Sequence, residues 1–290
     1  MRGLLLCSFL LVACSSAQEQ AAPFTTASNF LPVNGGRIYY EVAGSGPAVV
    51  LLHGGFGDRR MWDPQFTALA RSFRVVRYDH RGFGRSPAPD SAYSPLHDLV
   101  QLLDHLDIDK AHLVGNSMSA ALVLSFALLH PDRINRVVAS AGGAGGYPYT
   151  EADFASVAAV FTTAQQQGVD SAGQLWLRNP MIAVSSRHER SADLVRRMVE
   201  ENRAIFLMQH WPEEALTPRA YERMSELRVP VLFVVGENDT PLVQRVAEAT
   251  AARVPGSQLW RVPGADHLPH LVAPELFNQR IAAFLQGEAR

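Results

Sequence analysis

The stretch AHLVGNSMSAALVLSFALL, residues 111–129, decides the fold. Residues 111–115 form a short apolar run, which predicts a buried β-strand, and residues 120–129 have a helix-like pattern. Ser117 therefore falls at the sharp turn from a strand into a helix, where its side chain is exposed above the carboxyl end of the sheet. The N-terminus of the following helix favours negative charge, so the turn suits a serine nucleophile.

Similar strand runs recur along the chain and alternate with amphipathic stretches. This alternation predicts an α/β fold in which a mainly parallel central sheet is flanked by helices. Most of the runs are continuously apolar, which is typical of strands that are covered on both faces. The predicted strands cover residues 38–42, 48–53, 74–79, 111–115, 134–140, 231–236 and 258–262.

The pattern changes to helix-like segments without a strand run over residues 142–216. The change begins at the glycine-rich residues 142–146. We therefore expect a helical cap, residues 142–216, inserted into a core formed by residues 33–141 and 217–290. Large apolar side chains of the cap are candidates for an apolar pocket, although such residues at helical spacing are usually core. These side chains are Phe154, Phe161, Trp176, Met181, Phe206, Met208 and Trp211.

The N-terminus is typical of an export signal. Residues 1–13 contain Arg2 followed by an apolar run that is too short to cross a bilayer as a helix. The run ends in LVAC, residues 11–14, which resembles the lipobox of bacterial lipoprotein signal peptides. The resemblance implies that residues 1–13 are a signal peptide and that Cys14 becomes the lipidated first residue. The alternative is an ordinary secretory signal cut near Ala17, and both alternatives export the protein.

The segment after the signal is expected to tether the protein to a membrane. Residues 14–32 are rich in Ser, Ala, Gln and Thr and lack a periodic pattern, which predicts a lipidated Cys followed by a flexible tether. Ser15, rather than Asp, follows the lipidated residue. In the lipoprotein family this implies retention at the periplasmic face of the outer membrane, if the bacterium has two membranes.

The composition excludes several classes of protein. The 290 residues include 26 basic and 28 acidic ones, and no long run of one sign could follow a nucleic acid backbone. We therefore expect no nucleic acid partner. No constellation of His, Cys and carboxylates suggests a metal, and no organic cofactor is expected. The composition leaves the oligomeric state open.

Motifs at strand ends resemble, in their order, those of the α/β-hydrolase superfamily. They are HGGFG (53–57), DHRGFGRS (79–86), GNSMS (115–119), GEND (236–239) and GADH (264–267). The resemblance extends from about residue 37 to about residue 285. It implies a capped serine hydrolase that works through an acyl-enzyme on a small-molecule substrate.

The resemblance also implies a catalytic triad. Ser117 is expected as the nucleophile, His267 as the base and Asp239 as the acid that orients His267. His270 is the nearest competitor for the role of base, but its deeper position in the segment is more typical of a packing residue. Asp266 precedes the base and is expected to cap a turn.

The HGGFG loop implies an oxyanion hole. The N–H group of Gly55 is the first choice for one donor, and the N–H group of Met118 is expected as the second. Phe56 is expected beside the pocket, and His53 is expected to brace the loop.

Two features of the other motifs are structural. His80, in the DHRGFGRS segment, is expected to be either solvent-facing or a hydrogen-bonded buried histidine. Ser119 stands where the family has Gly in the motif GxSxG. The serine adds a side chain at a point where the backbone and the neighbouring strand approach each other closely. Because serine is small, we expect the turn to tolerate it.

The predicted reaction is the hydrolysis of small, fairly apolar carboxylic esters or lactones. The strand-to-helix turn that holds the nucleophile is called the elbow. A serine at this position argues against the haloalkane dehalogenase and epoxide hydrolase branches of the superfamily, which use Asp there. Asn116 resembles the elbow of carbon–carbon bond hydrolases, although Leu268 stands where those commonly have Trp. A carbon–carbon bond hydrolase or a proline-type aminopeptidase is therefore the alternative. A ligand-binding or sensing protein with little turnover is a third hypothesis, which Ser119 leaves open.

Overall fold

The strands of the chain form one mostly parallel sheet. The computed structural model describes residues 25–208 and 216–288. The strands found in these ranges are β1 (Ala27–Val33), β2 (Gly36–Ala43), β3 (Ala48–Leu52), β4 (Arg74–Tyr78), β5 (Ala111–Asn116), β6 (Ile134–Ser140), β7 (Val231–Gly236) and β8 (Gln258–Val262). Their order in the sheet is β1-β2-β4-β3-β5-β6-β7-β8. β2 is antiparallel to β1 and to β4, and the other neighbouring pairs are parallel.

Helices cover both faces of this sheet. Val49 and Val50, which are neighbours in β3, are fully buried in two separate apolar clusters. Successive strand side chains point to opposite faces, so each face has its own core. The helices of the described ranges are α1 (Asp63–Leu69), α2 (Pro95–His105), α3 (Met118–Leu129), α4 (Ala155–Gln167), α5 (Val169–Trp176), α6 (Ala192–Glu201), α7 (Pro241–Ala251), α8 (Pro269–Val272) and α9 (Pro274–Gln286).

The fold begins earlier than the sequence predicts. Residues 27–32, assigned above to the flexible tether, belong to β1, which pairs with β2 along its whole length. The prediction was wrong because β1 is an edge strand with a largely exposed first half, so its sequence lacks the apolar run of a central strand. Pro32 in its interior also argues against a strand, but an edge strand tolerates proline.

The segment between β6 and β7 is helical in its described part. It contains α4, α5 and α6 together with short 3-10 turns, and it forms no strand in residues 142–208. Trp211, one of the candidate pocket residues, lies outside the described residues. We refer to residues 142–216 as the cap segment.

The predicted signal peptide and the lipidation site at Cys14 lie outside the described residues, as does the tether up to residue 24. They stay predictions. In the described ranges, no helix has the length and apolar character needed to cross a membrane.

Candidate active site

The nucleophile turn is strained and tightly packed. Ser117 has φ 58° and ψ −116°, a backbone conformation that residues with a side chain rarely adopt. The backbone N–H of Ser117 donates to Ser140 on the neighbouring strand β6 at 2.8 Å. A methyl group on Gly115 would lie 2.3 Å from the carbonyl oxygen of Ser119, so only glycine fits there. The turn holds Ser117 at the carboxyl end of β5 and the start of α3.

Three predicted residues form one hydrogen-bonded chain. The Nε2 atom of His267 lies 2.8 Å from the Oγ atom of Ser117. The Nδ1 atom of His267 lies 2.8 Å from Oδ2 of Asp239. Because a carboxylate can only accept, His267 donates from Nδ1 and leaves Nε2 to accept the serine proton. His267 and Asp239 are both buried, which keeps water from competing for these bonds.

The pKa of His267 lies above its ordinary value of 6.5. Burial by itself lowers the pKa, but the charge of Asp239 and the hydrogen bond to it outweigh burial, and Asp266 adds to them. The ring is therefore a stronger base than an isolated imidazole.

Activity is expected to fall as the pH decreases, because protonated His267 cannot take the serine proton. The midpoint of this fall in kcat/KM should lie above pH 6.5, since the pKa of the folded enzyme is raised. A profile from about pH 5 to about pH 9 measures it. A profile without an acidic limb would contradict His267 as the base.

Two backbone N–H groups are available beside the nucleophile. Gly55 and Met118 both line the cavity that contains Ser117 and His267. Neither N–H donates to an acceptor among the described residues. A methyl group on Gly55 would lie 3.9 Å from the sulfur of Met118, so the two residues are neighbours. This arrangement suits an oxyanion hole.

The cavity above Ser117 is apolar. Its volume is about 350 Å³, within the range of small-molecule sites. The Phe56 ring lines it and packs 4.2 Å from the ring of Trp176. None of the described lining residues is Asp, Glu, Lys or Arg. The cap segment contributes to the lining with Tyr149, Phe154, Val157, Phe161, Trp176, Met181, Ile182, Val195, Met198, Val199 and Ile205.

His270 packs behind the site, as its position in the sequence predicts. It is fully buried, and its ring stacks on Trp62 at 4.3 Å. Burial, followed by the effect of His267, lowers the pKa of His270 to about 3. It therefore remains neutral at physiological pH and makes no hydrogen bond to Ser117.

Two contacts that sequence reasoning missed hold the cap segment against the site, and the first involves Asp266. Asp266 caps the local turn as expected, accepting the N–H of Leu268 at 3.2 Å. Its other oxygen accepts the N–H groups of Val184 and Ser185 at 2.9 and 2.8 Å. The N–H of the next residue, His267, donates to Met181 at 3.1 Å. His267 is thus fixed between its own loop and the cap segment. Only the position of Asp266 next to the base hinted at this role.

The second contact fixes the cap segment near the HGGFG loop, residues 53–57, which we call the oxyanion loop. Asn202, at the end of α6, donates from Nδ2 to Asp58 at 2.8 Å and accepts the N–H of Gly84 at 2.7 Å. Burial by itself raises the pKa of Asp58, but hydrogen bonds from Arg60 and Asn202 outweigh it and lower the pKa to about 2. Asp58 is therefore an ionised anchor. No local motif in the sequence marks Asn202.

A hydrogen-bonded serine, histidine and aspartate at the carboxyl edge of a mostly parallel sheet, beneath a helical segment, are typical of the class of α/β-fold hydrolases. A family model described as "alpha/beta hydrolase fold" matches residues 47–274. The chain belongs to this family, which confirms the fold and the superfamily predicted from the sequence.

The relatives of this chain include hydrolases. The chain is 31% identical over 267 residues to the putative carbamate hydrolase RutD of Caulobacter segnis, and the match covers 86% of this chain and 97% of that protein. It is 29% identical over 248 residues to the carboxylesterase YbfK of Bacillus subtilis, covering 83% and 81%. The chain is therefore a hydrolase of the carboxylesterase-like kind.

A solved structure with the same fold is the enol-lactonase of Burkholderia xenovorans LB400. The two share a TM-score of 0.75 and 23% identity over 89% of this chain and 100% of that one. At this level of identity the likeness shows the fold alone.

Proposed function

We propose that the protein is a serine hydrolase that cleaves small, uncharged and fairly apolar carboxylic esters or lactones through an acyl-enzyme. The observation that carries this proposal is the continuous hydrogen-bonded chain from Ser117 through His267 to Asp239, which opens into an apolar cavity. Its relatives include a carboxylesterase, which agrees with ester chemistry.

The geometry supports the following reaction. His267 takes the proton of Ser117, and the serine oxygen attacks the substrate carbonyl. The negative oxygen of the tetrahedral intermediate lies against the N–H groups of Gly55 and Met118. Collapse of the intermediate expels the alcohol, which receives its proton from His267. A water molecule then attacks the acyl-enzyme with His267 again as base, which releases the acid and restores Ser117.

The lack of Asp, Glu, Lys and Arg among the described lining residues argues for an uncharged substrate. The described lining residues offer no side chain of opposite charge to a carboxylate or an ammonium group. An ionic group placed against these residues would lose its hydration without gaining a charged partner among them.

One polar side chain beside the nucleophile keeps a carbon–carbon bond hydrolase as the second candidate. Asn116 is fully buried and lines the cavity, and neither end of its amide has a partner among the described residues. A polar ligand group would satisfy the amide, and a dienol or a lactone oxygen both supply one.

Two matched substrates test the preference for an uncharged group. We expect p-nitrophenyl butyrate to be hydrolysed with a kcat/KM at least about 30-fold above that of p-nitrophenyl hemisuccinate, because burying the carboxylate costs about 2 kcal/mol or more. The leaving group is the same, so the ratio reports on the acyl site. Equal values for the two esters would contradict the proposed substrate class, and turnover of neither ester, together with cleavage of a vinylogous diketone, would favour the second candidate.

A further inference from the structure

Ser119 stands where the elbow motif has glycine, and its hydroxyl belongs to a buried ring of hydrogen bonds. The Oγ atom of Ser119 donates to the carbonyl oxygen of His53 at 2.6 Å. Because the proton of Ser119 is used there, its oxygen accepts from the Nε2 atom of His80 at 2.9 Å. The backbone N–H of His80 donates to the Nε2 atom of His53 at 2.9 Å, which closes the ring.

The ring joins three separate parts of the site. Ser119 belongs to the elbow helix α3, His53 begins the oxyanion loop after β3, and His80 lies in the loop after β4. All three residues are buried, with exposed fractions of 1%, 0% and 4%. Water cannot readily replace a hydrogen bond that is lost at such a site, so each member depends on the other two.

The ring also fixes the protonation of both histidines. The Nδ1 atom of His53 lies 2.8 Å from the carbonyl oxygen of Gly54 and must donate to it, while Nε2 accepts from His80. Both nitrogens of His53 are therefore used in the neutral form. Burial lowers the pKa of His53 and of His80, which agrees with neutral rings.

The oxyanion donor lies close to this ring in the chain. Gly55 follows His53 by two residues, and the loop between them packs directly on the nucleophile, since a methyl group on Gly54 would lie 3.1 Å from the Cβ atom of Ser117. A shift of the loop by a fraction of an ångström would move the Gly55 N–H away from the oxyanion. Stabilisation by an oxyanion hole depends steeply on such distances.

We propose that Ser119, acting with His80, is a positioning residue that holds the oxyanion loop so that the N–H groups of Gly55 and Met118 converge on one point. The proposal rests on the proposed serine hydrolase function. The departure from the glycine of the motif is thus an added constraint on the oxyanion hole and does not perturb the elbow.

Substitutions of Ser119 test this role. Ser119→Ala keeps the Cβ atom and removes the hydroxyl, and Ser119→Gly restores the residue of the family motif. We expect each to lower kcat about tenfold with KM changed less than about twofold, because the loop donor acts mainly on the transition state. Ser257→Ala is the matched control: its hydroxyl donates to a backbone carbonyl at 2.9 Å just before β8, outside the cavity, and its kcat should equal that of the wild type.

Variants of His80 separate positioning from simple loss of stability. His80→Leu removes the donor to Ser119 and should match Ser119→Ala in kcat. His80→Gln retains an N–H donor at a similar reach and should recover kcat to within about threefold of the wild type. Because both sites act through one ring, the double variant Ser119→Ala/His80→Leu should be no slower than either single variant. Melting temperatures of all variants identify any that fail to fold.

A transition-state analogue gives a readout that a purely structural role would not change. An alkyl boronic acid forms a tetrahedral adduct with Ser117, and its affinity should fall about tenfold in Ser119→Ala, in parallel with kcat. Unchanged kcat in folded Ser119→Ala, additive effects in the double variant, or a rise in KM alone would each overturn the positioning role. An inactive wild type that does not bind the boronic acid would instead overturn the proposed function.

Discussion

Ser117→Ala should reduce hydrolysis of short-chain p-nitrophenyl esters by roughly 10⁶-fold in kcat, to the level of the uncatalysed reaction plus whatever the oxyanion hole retains. The Oγ atom of Ser117 lies 2.8 Å from the Nε2 atom of His267, where it can lose its proton and attack a carbonyl. Alanine preserves the Cβ atom and leaves the histidine paired with Asp239. The loss is therefore expected in kcat, measured by the release of p-nitrophenolate.

The folded state of this variant is the necessary control. Because alanine keeps the Cβ atom, the substitution leaves the backbone strain at position 117 unchanged, and the melting temperature should stay close to that of the wild type. Ser257→Ala, assayed in parallel, should keep full activity. Residual turnover within about 100-fold of the wild type in folded Ser117→Ala would show that another nucleophile carries the reaction.

Asp239→Asn should lower kcat by about 10⁴-fold. The amide of the substituted side chain can donate an N–H to the Nδ1 atom of His267. The imidazole ring then carries its proton on Nε2, so that Nε2 cannot accept the serine proton. The substitution also removes the charge that raises the pKa of His267. The residual activity should therefore show an acidic limb with its midpoint at a lower pH than in the wild type.

Glu237, two residues before Asp239, provides a matched control for the Asp239→Asn variant. Glu237 is an exposed carboxylate in the same turn, and Glu237→Gln should keep kcat within about twofold of the wild type, since a surface charge away from the ring has little effect there. Equal losses in Asp239→Asn and Glu237→Gln would mean that the turn, rather than the carboxylate, supports the base.

The strands from β3 to β8 and the meeting of Ser117, Asp239 and His267 at one site could be predicted because both depend on local sequence. The observed bounds of β3, β4, β5, β6, β7 and β8 differ from the prediction by at most one residue at either end. Ser117, Asp239 and His267 each follow one of these strands. Parallel strands place their carboxyl ends at one edge, so residues far apart in sequence meet there.

The contacts of the cap segment could not be predicted in the same way. Asp266 and Asn202 bind backbone and side-chain groups that lie 82 and 144 residues away. A single polar residue in a loop has many candidate partners, and only the packed structure selects one. Apolar spacing likewise fails to separate pocket from core: Phe161 lines the cavity, whereas Phe206 packs against the ring of Phe56.

Ser119 shows a further limit of motif reasoning. The motif predicts that a side chain at this position is crowded. In the structure, the backbone of Ser119 does approach Gly115 closely. The close approach involves the carbonyl group of Ser119, while its side chain points to His53 and His80. Both partners come from other loops, so the sequence around the elbow does not reveal them.

The most direct test of the serine hydrolase mechanism is covalent labelling of the purified protein with a fluorophosphonate, followed by peptide mass spectrometry. The proposed mechanism predicts one phosphonylated site, Ser117, at a rate that falls with the pH as His267 becomes protonated. It also predicts that labelling abolishes ester turnover in proportion to its extent. A protein that hydrolyses the ester panel fully while Ser117 carries the label, or that acquires the label at another residue, would contradict the mechanism.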